Sequence, residues 1–353
     1  LLYDEPMEQR KSYSIFIFIL LLTCVGATLP QSAFAITKTT QPSYTRLFYA
    51  QGGTRAAESF MAHPETVDIY APQTYGLDET GLSGKVDPAM LSFAKNHGIR
   101  VMPLVTNKAF RVSAYKAILD DPTKQAAAID SLINEARQND YWGWQIDFEQ
   151  MDASYKDKFS SFVRDLHTKM QANDLKLSVA VVSKISDNPN DYPKNLWQNL
   201  IGVYDFDAIA KNSDFVSVMS YDDPNSKGPV VEYSWLQKVI AYSLMHIPKE
   251  KISLGIPLYY WQWSDTTGKR IGIGGNKGIQ TVLSKHKVAL HYDSIQKAPY
   301  MTYWSHAASF TIWYENAKSI SEKIALIKSN GLYGFSAWAL GLEQPDVYVA
   351  MKK

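Results

Sequence analysis

Two carboxylic acids stand two positions apart in the run Gly143-Trp144-Gln145-Ile146-Asp147-Phe148-Glu149. Side chains alternate faces along a strand, so Gln145, Asp147 and Glu149 share one face if this run is extended. Trp144, Ile146 and Phe148 then share the other, an apolar face suited to packing on helices. Buried carboxylates are costly unless paired or used. Two of them on one face repel when both are ionised, so one keeps its proton towards neutral pH. Such a group can protonate a leaving group. The plainer alternative is a pair of solvated acids on a strand's rim.

The elements that must hold this pair are readable as short β-branched or aromatic runs at 45–51, 67–74, 99–106, 142–149, 175–182, 215–221, 252–259 and 333–340. Near-continuous apolar runs are what a parallel sheet covered on both faces requires. Helical stretches lie between most of them. Asp121-Pro122 has the form of an N-cap followed by proline, with Ile129, Leu132, Ile133 and Ala136 behind it at helical spacing. Tyr155, Phe159, Phe162, Leu166 and Met170 form one apolar stripe, and Ile320, Ile324 and Ile327 another, stopped at Asn330-Gly331. Eight strands alternating with helices point to a closed (β/α)8 TIM barrel, in which chemistry sits at the C-terminal strand ends. An open doubly wound sheet is the structural rival. Gly272-Ile273-Gly274-Gly275 does not favour it, because those glycines lack the strand–GxGxxG–helix setting and read as a loop. The stretch from about 264 to 316 is too long for a plain loop and is expected to be a small α/β insertion between strands seven and eight.

With these motifs in place, the chain resembles glycoside hydrolase family 18, the chitinase-like family. The pattern D-G-x-D-x-D-x-E of its fourth strand is matched at Gly143, Asp147 and Glu149 within Trp142 to Glu149. Met219-Ser220-Tyr221-Asp222 resembles its M-x-Y-D, Leu254-Gly255-Ile256-Pro257-Leu258-Tyr259 its G-x-P strand, and Gly334-Phe335-Ser336-Ala337-Trp338 its last strand. The resemblance covers about residues 44 to 348 and implies cleavage of β-1,4 bonds between N-acetylglucosamine units by substrate-assisted retaining catalysis, without a cofactor. It implies that Glu149 donates the proton, that Asp147 holds the acetamido N–H, and that Tyr221 hydrogen-bonds the acetamido carbonyl. Asp222 would position the sugar and Trp338 would form the floor beneath it, with Gln145 and Met219 completing the sugar-contacting set. Two positions depart from the pattern. Trp142 replaces an acid that is not normally catalytic. Gln145 replaces one that exchanges a hydrogen bond with the central acid; an amide cannot ionise, so Asp147 is expected to ionise more easily and the pH profile to differ. An amide here, with the segments 70–77 and 101–107, resembles the branch of spore-cortex and peptidoglycan N-acetylglucosaminidases.

Tyr75, Tyr259, Trp261 and Trp263 lie at or beyond strand ends, where they could line a groove or simply pack; Glu315 could reach the cleft from the end of the insertion. The seven His show no ligand spacing, so no metal is expected, and no Gly-x-Ser-x-Gly elbow is present. A second class of function, a chitinase-like lectin that binds without cutting, is weakened because both Asp147 and Glu149 are kept. A Mg2+-dependent barrel enzyme would need a ring of carboxylates on successive strand ends, which the sequence lacks.

A net charge of +1 without basic blocks excludes a nucleic-acid footprint. Aromatics at 13%, including 22 Tyr and 9 Trp, suit a surface that packs sugar rings, or a large core. Arg10-Lys11, an apolar run from Ile15 to Leu22 and Ala33-Phe34-Ala35 together read as a secretory signal cleaved after Ala35, leaving 36–353 as the catalytic barrel. An uncleaved anchor is the alternative. The one cysteine, Cys24, falls inside that segment, so the mature chain would have no disulfide. The expected product is a secreted, periplasmic or cell-envelope protein, monomeric, acting on chitin or on the glycan of peptidoglycan, with no membrane association of the mature chain.

Overall fold

The computed structural model describes residues 44–352. The expected signal segment and Cys24 lie outside the described residues. Eight parallel strands close on themselves: β1 (Thr45–Ala50), β2 (Ile69–Asp78), β3 (Arg100–Val101 and Leu104–Thr106), β4 (Gly143–Asp147), β5 (Lys176–Val182), β6 (Phe215–Met219), β7 (Ile252–Pro257) and β8 (Gly334–Trp338). Each pairs with its sequence neighbours, and β1 pairs with both β2 and β8, so no barrel edge remains. This is the TIM barrel that the alternating pattern implied, and it excludes the open sheet.

The same alternation sorts the side chains. Leu47, Tyr49, Ile69, Ala71, Met102, Leu104, Phe215 and Ala339 form a cluster inside the barrel. The opposite faces pack on the helices. Trp144 of β4 is fully buried and donates its indole N–H to the Leu132 carbonyl at 2.8 Å. Phe148 stacks against Phe159 and Phe162 of the helix Lys156–Gln171. The cap read at Asp121 is formed, its carboxylate accepting from Thr123 N–H and Lys124 N–H. The helix Ala317–Asn330 stops at Gly331, which takes φ 63 as a helix-ending glycine does.

Two strands differ from the uniform runs expected. Met102-Pro103 divides β3, because proline brings no N–H to the ladder. In β2 the register against β3 shifts between Gln73 and Tyr75. This bulge turns Tyr75 onto the helix side, whereas unbroken alternation from Ile69 and Ala71 would aim it inward. Beyond it, β2 continues into a hairpin with Gly81–Gly84.

Between β7 and β8 stands an antiparallel sheet of five strands, Tyr260–Ser264, Lys269–Gly274, Val288–Asp293, Ala298–Ser305 and Ala308–Trp313, with one helix, Asn276–Lys285. The insertion's first strand therefore begins at Tyr260, with two residues between it and the end of β7, earlier than the expected start at about 264. It has its own small core of Tyr260, Ile279, Met301, Tyr303 and Ile312.

Candidate active site

β4 delivers its carboxylates as the alternation required. Asp147 is the last strand residue and is buried; Glu149 follows past the strand end, part-buried at the mouth. The backbone there is clamped from two sides. Asn107, just beyond β3, accepts from Glu149 N–H at 2.9 Å and donates to the Glu149 carbonyl at 2.9 Å. Tyr204 donates its hydroxyl to the Phe148 carbonyl at 2.7 Å. The chain then leaves through Gln150 at φ 54.

A cavity of about 170 Å³ opens over this strand end, lined by Tyr49, Leu104, Asp147, Glu149, Ala180, Met219, Tyr221, Asp222 and Trp338. Six of these were expected from the sequence: Asp147, Glu149, Met219, Tyr221, Asp222 and Trp338. Gly255 of β7 makes room for Tyr221, since a Cβ there would meet its ring at 2.9 Å and the Val218 carbonyl at 2.6 Å. Trp338 ends β8, is joined to Ala339 through a cis peptide bond, and packs on Tyr49 with ring centroids 5.1 Å apart. Asp222 takes φ 59 and accepts the Tyr259 hydroxyl at 2.6 Å. Tyr259 itself is buried, reaching the site only through that hydroxyl.

The electrostatics follow from burial. Loss of water pushes the Glu149 carboxyl up to about 7, and the charge of Asp222 adds to this. Asp147 is driven well above the ordinary carboxylate range, by burial first and by Glu149 second. The pair therefore stays protonated at pH values where ordinary carboxylates would be ionised. Gln145 brings no charge beneath Asp147, so the rise comes from burial and from Glu149. Tyr221 keeps its phenolic proton, burial raising it far above neutrality.

Four candidates are placed elsewhere. Gln145 is fully buried beneath the cavity, its amide donating to Ser178 Oγ at 2.9 Å and Ser217 Oγ at 2.8 Å; it supports the floor and offers a sugar no surface. Tyr75, turned outward by the bulge, hydrogen-bonds Glu135 at 2.5 Å and Tyr141 at 2.8 Å behind the barrel wall. Glu315 is buried in an ion pair with Lys323, both oxygens 2.8 Å from Nζ, so its charge is already met. Trp261 lines an adjoining groove rather than this cavity. The reading of the sequence missed Tyr49, Asn107 and Tyr204. Tyr49 was open to the period-two rule, being two residues after Leu47 in β1. Asn107 and Tyr204 act through backbone groups distant in sequence and carry no local signal. Among the described residues no group of three or more His, Cys, Asp or Glu is placed to hold a metal ion.

With this geometry established, comparison with known proteins is decisive. The model of the family "Glycosyl hydrolases family 18" matches residues 35–343. The chain belongs to glycosyl hydrolase family 18. It is 24% identical over 315 residues to a protein of Bacillus subtilis described as an uncharacterized glycosylase, covering 86% of this chain and 90% of that one. It is 25% identical over 270 residues to the cortical fragment-lytic enzyme of Bacillus subtilis, covering 74% of this chain and 61% of that one. The fold matches the spore cortex-lytic enzyme SleL of Bacillus megaterium with a TM-score of 0.78 at 22% identity, over 89% of this chain and 74% of that structure. The resemblance to the spore-cortex-lytic branch thus stands, and the chain is a glycosidase of family 18.

Proposed function

We propose that this glycosidase cleaves β-1,4 bonds next to N-acetylglucosamine by substrate-assisted retaining catalysis. The observation that carries the reading is the placement of Asp147, Glu149, Tyr221 and Asp222 around one cavity at the strand ends, with Trp338 in its lining. The 2-acetamido oxygen of the bound sugar attacks its own anomeric carbon while Glu149 gives its proton to the departing glycosidic oxygen. Asp147 has a buried Oδ1 with no hydrogen-bond partner among the described residues, and that oxygen accepts the acetamido N–H and faces the positive oxazolinium. Tyr221 donates to the acetamido carbonyl oxygen and fixes its approach. Trp338 packs against the apolar face of the sugar. Glu149, now a carboxylate, takes a proton from water as the hydroxyl adds to the anomeric carbon. The acetamide re-forms and the anomeric configuration is retained.

Export belongs to the same proposal. Arg10-Lys11, the apolar run and Ala33-Phe34-Ala35 support it, and a secreted form beginning at Ile36 is expected from N-terminal sequencing. The test of the chemistry is release of product from a chromogenic N-acetylglucosamine oligomer by the wild type and by Glu149→Gln. The variant is expected to lose at least about 10²-fold in kcat, the scale of a general acid. Equal turnover by both proteins removes the mechanism; binding without turnover by the wild type makes the chain a lectin. Chitin and purified cell wall digested in parallel, with products weighed by mass spectrometry, identify the polymer.

A further inference from the structure

Glu149 leaves β4 through the peptide unit that joins it to Phe148, and both polar groups of that unit are taken by side chains. Asn107 accepts from its N–H at 2.9 Å, and Tyr204 donates to its carbonyl at 2.7 Å. Asn107 follows directly on β3 and inherits that strand's order. Tyr204 has no such support. It lies in the irregular stretch between Ile201 and the helix Phe206–Lys211, outside any ladder or helix. The residue is fully buried, its ring edge-on to Phe159 at 6.0 Å, so its own carbonyl needs a donor from the interior.

Lys184 is that donor. It follows closely on the end of β5, is 4% exposed, and places Nζ 2.7 Å from the Tyr204 carbonyl. Its ammonium faces the Trp197 ring at 5.2 Å and the Phe206 ring at 5.5 Å. Its ion-pair partner among the described residues, Asp187, stands 3.7 Å away, is 63% exposed, and also accepts the Tyr242 hydroxyl at 2.6 Å. Taking an ammonium out of water is costly, and an apolar side chain would fill the slot between two rings without that cost. What an apolar side chain cannot do is donate to Tyr204. The wall that Lys184 fastens presses on the acid's own loop. A Cβ on Gly202 would come within 2.8 Å of Ala153, on the chain leaving Glu149.

We propose that Lys184 is a positioning residue for the proton donor. It reaches no reacting atom. Its ammonium fixes the Tyr204 carbonyl, the Tyr204 hydroxyl fixes the Phe148 carbonyl, and the peptide so held aims Glu149 into the cavity. Its charge is not what acts, because burial, Asp222 and Asp147 set the Glu149 proton. Loss of the ammonium is therefore expected to slacken the placement of the acid while leaving its titration and the sugar-contacting side chains as they are. This rests on the reading of Glu149 as the donor only for its effect on rate. The restraint on the peptide between 148 and 149 belongs to the fold and is measurable without turnover.

The test is a double-mutant cycle between Lys184→Met, whose unbranched side chain suits the slot between the rings, and Tyr204→Phe. On a soluble N-acetylglucosamine oligomer each single variant is expected to lower kcat about tenfold, less than the ~10²-fold of a 1 Å misplacement because Asn107 still holds the N–H. KM and the upper limb of the pH profile are expected to stay in place. The double variant is expected to be no slower than Tyr204→Phe alone, since the lysine acts only through that hydroxyl. Amide hydrogen exchange at Glu149, followed by NMR, is expected to be about tenfold faster in each variant than in the wild type. Lys184→Arg, which keeps the charge and the donors at a different reach, carries the same cycle if Lys184→Met does not fold. Losses that multiply in the double variant, an unchanged kcat in the lysine variant, or Glu149 exchange equal to that of the wild type overturns the proposal. A wild type that cuts no oligomer, with exchange still faster in the lysine variant, refutes the hydrolytic reading and leaves the positioning role standing.

Discussion

The Glu149 carboxyl is raised first by its removal from water and second by the charge of Asp222, against a smaller lowering by the hydrogen bond with Asp147, and the balance holds its proton up to about pH 7. The working form of a proton donor is the protonated one, so the sign of the pH dependence is fixed. Below about 7 Glu149 carries its proton; above it the proton is lost, and kcat/KM is expected to fall towards a tenfold loss per pH unit. Asp222→Asn removes the second influence and leaves the first. The upper limb of the kcat/KM profile is therefore expected to move to lower pH in this variant, whatever happens to the absolute rate through loss of the Tyr259 contact. A profile whose upper limb stays in place assigns the raised pKa to burial alone. Asp147 was legible as a partner from spacing, but the strength of its burial was not. That depends on how Leu104, Ala180 and Tyr49 close around the strand end, which no local pattern states.

The strand ends do what single residues cannot, because Glu149 lies past the last ladder pair of β4 and has lost the sheet's own restraint. Asn107 replaces it by pairing with both the N–H and the carbonyl of Glu149. Asn107→Ala leaves a part-buried N–H without its acceptor, a loss of ~1–3 kcal/mol in stability. It also frees the acid to wander, and a misplacement near 1 Å costs about 10²-fold in rate. The expected signature is a kcat reduced by that order with KM little changed, read from steady-state kinetics on a soluble oligomer. A variant that loses stability but not kcat would make Asn107 a structural residue only. Tyr75 shows the converse limit of reading strands from sequence. Its neighbours Ala71 and Gln73 obey the alternation, yet one bulged residue between 73 and 75 sends its ring to the back of the wall. Alternation predicts faces within a regular strand and fails across an irregularity that leaves no mark in residue type. Pro103, by contrast, carries the cause of the break in β3 in its residue type, a missing N–H, although the run 99–106 reads as continuous.

At the scale of the molecule, the barrel was legible because eight apolar runs and the helical stripes between them repeat one physical requirement, burial on both faces of a closed parallel sheet. The insertion was legible as an element but not as a surface. Its hairpin register, and with it the grouping of Trp261, Trp263 and Arg270, comes from a bulge and from pairing with Ala308–Trp313 far along the chain. Glu315 carries the same lesson. From sequence it was an acid near the cleft; in the fold it joins the chain leaving the insertion to the helix Ala317–Asn330 through Lys323, with both side chains at most 4% exposed. A buried pair of this kind adds little net stability, but removing one partner strands the other charge. Glu315→Gln is therefore expected to cost ~3–5 kcal/mol, a melting temperature lower by several degrees, while Glu315→Gln/Lys323→Met recovers much of the loss. Neither the upper pH limb nor KM for a short oligomer is expected to move at temperatures where the protein stays folded. Thermal melts and kinetics on the same preparations decide it. A KM raised without a change in melting temperature would return Glu315 to the cleft and make its pairing with Lys323 secondary.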